Sequence, residues 1–410
     1  MHDVRDDRIR PNELAPCLSA VWIMVETPAR RPTMTNSWRT TALAERHRAL
    51  GSNLEDWIGM PTAWFYDHDP SEDHVAIRTR AGLMDVSGLR KLHLTGPHAT
   101  AILDHATTRN AEKIMPGRSA YCCFLSEEGT FIDDGILYRK GPNDWFVVHG
   151  GGSAHDVLAP AVVGRNAALL FDDDLHDISL QGPLAVDYLA RHVPGIRDLA
   201  YFGHVSTTLF GKPVMISRTG YTGERGYEIF SRGRDVVAIW DQIVAEGKEM
   251  GIVPAAFCAL DALRVESYLL FFPFDNSQVY PFPQGPQGDT LWELGLDFTV
   301  SPGKTGFRGA EAHYRAKGRE RFKIFGIELE SDKPAGNGDP LFDGDRQVGV
   351  VTQGMVSTLT GRSLGIARLD VDKAVPGTVL DLRGAELTAK AVAAELPFDD
   401  PKKLKRTAKG

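Results

Sequence analysis

Cysteine is scarce in this chain: four thiols in 410 residues, at Cys17, Cys122, Cys123 and Cys258. They make no C-x-x-C pair and no spacing of a secreted disulfide framework, which excludes a stapled extracellular scaffold and points to a reducing, cytoplasmic setting. Cys122 and Cys123 are neighbours on a predicted strand, where successive side chains face opposite ways, so they are poor partners for one metal. Long apolar runs are missing as well. None reaches the roughly 18 residues of a membrane span, and no membrane partner is expected. Basic residues are in deficit, 46 Lys and Arg against 54 Asp and Glu, for a net charge of −8. That balance speaks against a general nucleic-acid binder and leaves any anionic ligand to a local basic patch. There is no glycine-rich phosphate loop, so a nucleotide cofactor is not expected. The histidines are scattered. His98 and His105 stand two turns apart on one predicted helix with no carboxylate cluster beside them, and no metal is expected.

What is present is enough apolar sequence for a core, 42% of the chain, over a length that suits two to four domains of roughly 100–200 residues each. Residues 1–33 mix Arg and Asp around one short apolar patch, "LSAVWIMV", and read as a disordered extension rather than a targeting peptide. Met34 opens a more ordinary start, "MTNSWRTTALAERHRALG", which can form an amphipathic helix. "LTGPHATAILDHAT" (94–107) and "LQGPLAVDYLARHV" (180–193) repeat a strand, a Gly-Pro step and a helix, which suggests two α+β lobes of similar build. Val236, Ile239, Trp240, Ile243 and Val244 mark one face of a helix over 235–250. The stretch "FFPFDNSQVYPFPQGPQGD" (271–289) is irregular loop. Beyond about residue 320, short strands with turn signals read as a small all-β barrel or sandwich. The expected division is a first α+β lobe from 34–85 plus 176–290, a second from 86–175, a connector over 291–318, and a C-terminal barrel with a basic tail over 319–410.

Some motifs mislead. "HGGG" (149–152) looks like an oxyanion loop, and "GRSLG" (361–365) matches the G-x-S-x-G nucleophile elbow. In that fold a histidine follows the serine, yet the last histidine here is His313. A serine hydrolase is set aside, and the two motifs read as a strand end and a turn in the barrel. "DDDLHD" (172–177) reads as a solvated turn, and "KKLKR" (402–406) as a solvated tail within reach of ligand carboxylates. Two stretches raise chemical questions. "RTGYTGERGYEIF" (218–230) sets Tyr221, Tyr227 and Glu228 among Gly220, Gly223 and Gly226, which mark bends or close approaches of the backbone. In "AYCCFLSEEGTFIDDGILYRK" (120–140), Glu127, Glu128 and Gly129 form a hairpin turn. The strand after it places Ile132, Asp134, Ile136 and Tyr138 on one face and Asp133 on the other, nearer solvent. An aspartate among such neighbours is desolvated, which raises its pKa and suits proton traffic or a cationic centre. A turn-capping aspartate is the alternative.

Taken together these stretches resemble the aminomethyltransferase family, the T protein of the glycine cleavage system and its relatives. "LMDVSGLRKLHLTGPHATAILDHATTRN", "EEGTFIDDGILY", "SLQGP" (179–183), "RTGYTGERGYEI", "ALDALRVESYLLF" (259–271), "WELGLDFTVSPGKTGFRGAEA" and "VGVVTQGMVSTLTGRSLGIARL" follow in the family's order, from about residue 80 to 400. The resemblance implies an α+β, three-lobed ring around a site for tetrahydrofolate, the acceptor of a one-carbon unit. It places the catalytic aspartate at Asp134 and a bidentate anchor for the pterin's paired N–H donors at Glu228. Tyr221, Tyr121 and Tyr138 are then flat walls for the ligand rings, and Gln181 and Arg264 are further ligand contacts.

The departures bear on the donor. Leu260 stands before Asp261 where the T protein has arginine. "DVSGLR" replaces "DVSHMG" at Gly88, Leu89 and Arg90, and the loop 271–289 is longer and more aromatic than a true T protein's. These changes resemble the relatives that demethylate small compounds. The expected activity is transfer of a methyl or methylene group from a small N-, S- or O-methylated donor to tetrahydrofolate. A T protein served by a lipoylated carrier protein and a non-catalytic folate-binding protein are the alternatives. Tyr268, Phe271, Phe272, Phe274, Tyr280 and Phe282 are expected to form a lid over the donor.

Overall fold

The computed structural model describes residues 38–282 and 288–409. The expected extension 1–33 and the start at Met34 lie outside these residues. Among the described residues of the predicted N-terminal helix, Ala44–Ala49 is helical. Upstream of it the hydroxyl of Thr41 accepts from the Leu43 N–H at 3.1 Å, a local bond that competes with helix and starts it late.

Two sheets carry the first two lobes. One has six strands in the order His204–Leu209, Lys212–Ser217, Gly226–Arg232, Leu175–Gln181, Ala81–Asp85 and Ile252–Pro254. The helix Gly233–Gly247 lays Val236, Ile239, Trp240 and Ile243 on one of its faces, against Ile178, Leu180 and Ile229. The other sheet has five strands, Arg118–Leu125, Phe131–Gly141, Asp144–His149, Arg90–Thr95 and Ala168–Phe171. Helices Ala99–Ala106 and Ala154–Ala161 cover one face of it, around Leu92, Leu94, Leu137 and Val147. The repeated Gly-Pro step is the same device in both lobes. Gly96 and Gly182 have φ of +114° and +128°, a region open to glycine. A Cβ at either would stand 2.6 Å from a backbone oxygen, of Asn166 and Arg80 respectively.

The two faces left uncovered by helices meet each other. Tyr138, Phe146 and Val148 of the five-stranded sheet pack there against Phe230 of the six-stranded one, with the Phe146 and Phe230 rings edge to face at 5.2 Å between centroids. The third lobe is a closed six-stranded barrel beginning at Phe322–Leu329. "GRSLG" belongs to it as a strand start rather than a turn: Ser363 opens the strand Ser363–Asp370 and donates to the Lys333 carbonyl at 2.9 Å. Between Ser267 and Leu291 the described residues form neither helix nor strand. Cys122 and Cys123 do face opposite ways. One lies in the core of the second lobe, the other in a core shared with the barrel's Phe322, Leu364 and Ile366.

"DDDLHD" is not a solvated turn. Asp172 and Asp177 are buried, because the strand Leu175–Gln181 begins inside this run and carries it between the sheets. Asp172 accepts from Arg232 at 2.8 Å and from His93 at 2.8 Å.

The first lobe and the barrel are tied at one buried carboxylate, Glu266. It accepts from Arg78 Nη2 at 2.7 Å, His74 Nε2 at 2.9 Å and the barrel's Ser357 hydroxyl at 2.7 Å. Arg78 in turn donates to the Thr222 carbonyl and to Glu224, both in the loop before Glu228. Burial alone raises the pKa of Glu266, but His74, Arg78 and Ser357 more than offset it and hold it near 2. A folded-state pKa below the ordinary 4.5 means that this stabilisation is present at neutral pH and is lost as pH falls toward 2. Glu266→Gln should therefore lower unfolding free energy by about 3 kcal/mol at pH 7. Urea melts at pH 7 and pH 3 should show the two proteins converging in acid.

Candidate functional site

A cavity of about 1760 Å³ opens where the three lobes meet, lined by Asp134 and Tyr121 from the second lobe, Glu228 and Tyr221 from the first, and Ile324 and Leu396 from the third. Its position follows from the strands. Ile132, Asp134 and Ile136 alternate on the cavity face of Phe131–Gly141. The Asp134 carboxylate accepts from the Tyr121 hydroxyl at 2.6 Å, and the backbone N–H of Asp134 donates to Asp133 at 2.9 Å. Burial, and then the neighbouring charge of Asp133, push the Asp134 pKa up to about 7.

Asp133 does not face solvent. The "GGG" segment and the helix Ala154–Ala161 close over its side of the sheet, leaving it fully buried. There it accepts from His149 Nδ1 at 2.9 Å and from the Ala154 N–H at 2.8 Å. A Cβ on Gly152 would come within 2.5 Å of the Asp133 carboxyl carbon, so this one glycine of the run is packing room for the aspartate. The doublet in "IDDG" thus supplies one carboxylate to the cavity and one that pins the strand behind it.

The hairpin Lys212–Ser217 to Gly226–Arg232 places Glu228. Gly220 and Gly226 bracket the buried Gln181, whose amide would stand 2.1 Å from a Cβ on either. Gln181 donates to Ser179 at 2.9 Å and to the Thr219 carbonyl at 3.1 Å, and accepts from Thr222 at 3.0 Å. It therefore shapes the loop and does not line the cavity, contrary to expectation. Glu228 is buried on the cavity wall and accepts from the Thr219 hydroxyl and from the Tyr138 hydroxyl at 3.3 Å. Its pKa is raised by burial. Tyr138 is also not a cavity wall. It is fully buried in the seam under Phe146 and Phe230, and it holds Glu228. Tyr221 does line the cavity, with its hydroxyl donating to the Leu269 carbonyl at 2.9 Å.

Arg264 is turned away from the cavity. It is buried against Asp275 at 2.8 Å and reaches Gln353 of the barrel at 3.3 Å. Of the aromatic loop, Tyr268, Phe271, Phe272 and Phe274 line the cavity. Tyr280 instead packs on Gly338, and the Phe282 carbonyl accepts from Arg368 at 2.8 Å. Those two hold the loop to the barrel lobe. Leu89, Arg90 and Leu260, three of the positions that depart from the T-protein pattern, lie on the cavity wall. Gly88 leaves room for Trp57, whose ring lies tilted against Phe257 at 4.4 Å between centroids.

The tail is anchored rather than solvated throughout. Lys405 pairs with Glu224 at 3.0 Å and Asp399 at 2.8 Å, while Arg218 donates to the Arg406 carbonyl at 3.1 Å. This brings Lys403 and Arg406 to the cavity, where Arg90, Arg109 and Arg118 also lie. Nothing in the sequence joined these cations, which come from three separate segments.

Residues 43–304 match the GCVT N-terminal domain, and residues 323–400 the glycine cleavage T-protein C-terminal barrel domain. The chain is 63% identical over 377 residues to the heme-dependent oxidative N-demethylase gamma subunit of Ectopseudomonas mendocina, covering 92% of this chain and 100% of that one. It is 32% identical to the aminomethyltransferase of Streptomyces coelicolor, covering 88% and 97%. It is 31% identical to the trimethylamine-oxide aldolase of Ruegeria pomeroyi, covering 92% of this chain but 49% of that one. The crystal structure of glycine cleavage system aminomethyltransferase T from Bartonella henselae shares the fold, with a TM-score of 0.79, 24% identity and coverage of 88% and 98%.

An aspartate whose folded pKa is about 7 instead of 3.8 takes up a proton on folding between those values. Its contribution to stability falls as pH rises through that window and is constant above it. Asp134→Asn removes this dependence, so its melting temperature relative to wild type should rise between pH 4.5 and pH 8. An equal difference at both pH values would show that Asp134 titrates normally.

Proposed function

The chain belongs to the GCVT family, and from that premise we propose that it is a tetrahydrofolate-dependent one-carbon transferase working as one subunit of an oxidative N-demethylase. The observation that carries this reading is the pairing of two differently tuned carboxylates, Glu228 and Asp134, on the walls of one aromatic cavity. Folate's pterin offers an N–H beside an amino group, and two parallel donors suit Glu228 bidentately. Thr219 and Tyr138 hold that carboxylate in place. Tyr221 and the aromatic loop suit flat rings, and Arg118, Lys403 and Arg406 suit the ligand's glutamyl carboxylates.

Tetrahydrofolate supplies the nucleophilic nitrogens that accept the carbon. Oxidation of an N-methyl amine by two electrons, at another subunit and with that subunit's own electron acceptor, would leave an iminium carbon, at the level of formaldehyde. Its transfer to folate as a methylene bridge frees the amine and one proton. Asp134, with a pKa near neutrality, is placed to stabilise the cationic carbon as a carboxylate and to take the proton that the folate nitrogen loses. Tyr121 holds the Asp134 oxygen, and Asp133 fixes its backbone. Phe271, Phe274 and Trp57 offer apolar faces to a small methylated cation.

The relative's heme does not suit this cavity. Among the described residues its one lining histidine, His149, is held by Asp133 through Nδ1 and has its unpartnered Nε2 buried rather than open to the cavity, and no cysteine lines it. We assign any heme to another subunit and route no step through it. The aminomethyltransferase relatives support a second reading, in which a lipoylated carrier protein brings the carbon.

Tetrahydrofolate should raise the melting temperature, and Glu228→Ala should abolish most of that shift by leaving the pterin donors unmatched. No shift in wild type at millimolar folate would refute the assignment. Mass spectrometry of the folate product decides the chemistry. Methylene-tetrahydrofolate from an oxidised free amine or formaldehyde supports the subunit reading. Methyl-tetrahydrofolate shows direct methyl transfer, and methylene formed with the lipoylated carrier alone restores the T-protein reading. In whichever assay is active, Asp134→Asn should lower turnover by roughly two to four orders of magnitude with folate affinity little changed.

A further inference from the structure

A second, much smaller cavity lies between the loop 218–226 and the C-terminal tail. Its volume is about 10 Å³, room for one particle of roughly a water's size. Arg218 and Arg406 both line it. Arg218 is only 3% exposed, and its acceptors are all neutral: the Leu199 carbonyl at 3.0 Å, the Arg406 carbonyl at 3.1 Å and the Ala408 carbonyl. Its Nε is buried without a hydrogen-bond partner, and so is the Nε of Arg406. Among the described residues neither guanidinium has a carboxylate in an ion pair.

The charges around the cavity do not balance. Its wall carries one carboxylate, Glu224, and that group already accepts from Arg78 at 2.9 Å and Lys405 at 3.0 Å. Counted more widely, the four cations Arg78, Lys405, Arg218 and Arg406 face three carboxylates, Glu224, Glu266 and Asp399. None of the three pairs with Arg218 or Arg406. Burial, and then the like charge of Arg225, lower the Arg218 pKa. Thr219 has its hydroxyl committed to Ser217 at 2.9 Å and to Glu228. A buried cation without a counter-charge costs free energy, and so do buried N–H groups without acceptors. A water would satisfy the N–H groups and leave the charge. A polyatomic oxyanion would exceed the room. A monatomic anion meets both needs.

We propose that this cavity is a site for one monatomic anion, chloride in ordinary solution, held by the Nε–H groups of Arg218 and Arg406. The ion ties the Arg406 side chain to the loop 218–226, where the tail is otherwise held by its main-chain carbonyls and by Lys405. It thereby fixes the segment that brings Lys403 and Arg406 to the large cavity. Anion binding here is independent of what the large cavity takes.

The test follows the melting temperature of the full chain as sodium chloride or sodium bromide replaces sodium gluconate at constant ionic strength, gluconate being too large to enter. Wild type should show a saturable rise of about 2–5 °C. Lys403→Gln, at a position that lines the large cavity and not the small one, should keep the rise. Arg406→Gln should lose it. Crystals of the wild type soaked in bromide should show anomalous bromine density beside the Nε atoms of Arg218 and Arg406, which decides the matter if Arg406→Gln does not fold. No rise in wild type overturns the site, as does a rise that survives in Arg406→Gln or vanishes in Lys403→Gln. A water in the cavity without anomalous signal overturns it as well.

Discussion

Glu266 is the point through which the rest of the molecule is aligned. Its carboxylate is buried, so every lone pair needs a donor, and the donors come from elements far apart in the chain: His74 and Arg78 from one helix and Ser357 from the barrel. Arg78 then grips the loop 218–225, and that loop sets where the strand that carries Glu228 begins. A buried ion pair adds little net stability over an apolar replacement. What it adds here is registration of the first lobe against the barrel.

The cavity is what remains where those lobes fail to close. Its chemistry comes from giving each carboxylate a different set of partners. Asp133 has three donors and no access to the cavity. Asp134 has one tyrosine hydroxyl and a like charge nearby, which leaves it close to neutrality. Glu228 has two hydroxyls, and Asp177 has no hydrogen bond at all. Donor count and burial, not residue type, separate an acid–base group from a structural pin.

Several residues expected to touch a ligand instead hold the residues of the cavity wall. Gln181 fills the space that Gly220 and Gly226 leave, Tyr138 holds Glu228 from behind, and Arg264 joins the aromatic loop to the barrel through Asp275 and Gln353. The loop geometry depends on these contacts. A motif read from sequence alone cannot separate them from the wall itself.

The local patterns settled much by themselves. The Gly-Pro steps, the 3.6-residue stripe of Val236, Ile239, Trp240 and Ile243, the alternation of Ile132, Asp134 and Ile136, and the strand-and-turn rhythm of the barrel all depend on neighbours a few residues apart. The glycines of "RTGYTGERGY" announced a close approach, though not that Gln181 makes it. Tertiary structure alone decided which faces are covered. Asp133 was read toward solvent because alternation says only that it opposes Asp134. The helix Ala154–Ala161 determines that its side is the buried one. "DDDLHD" looked solvated because charge density suggests water, yet the facing sheet presses Asp177 into the seam. The cations Arg118, Lys403 and Arg406 come together only because Lys405 and Arg218 dock the tail. Burial and charge pairing are sums over residues distant in sequence, and no local period encodes them.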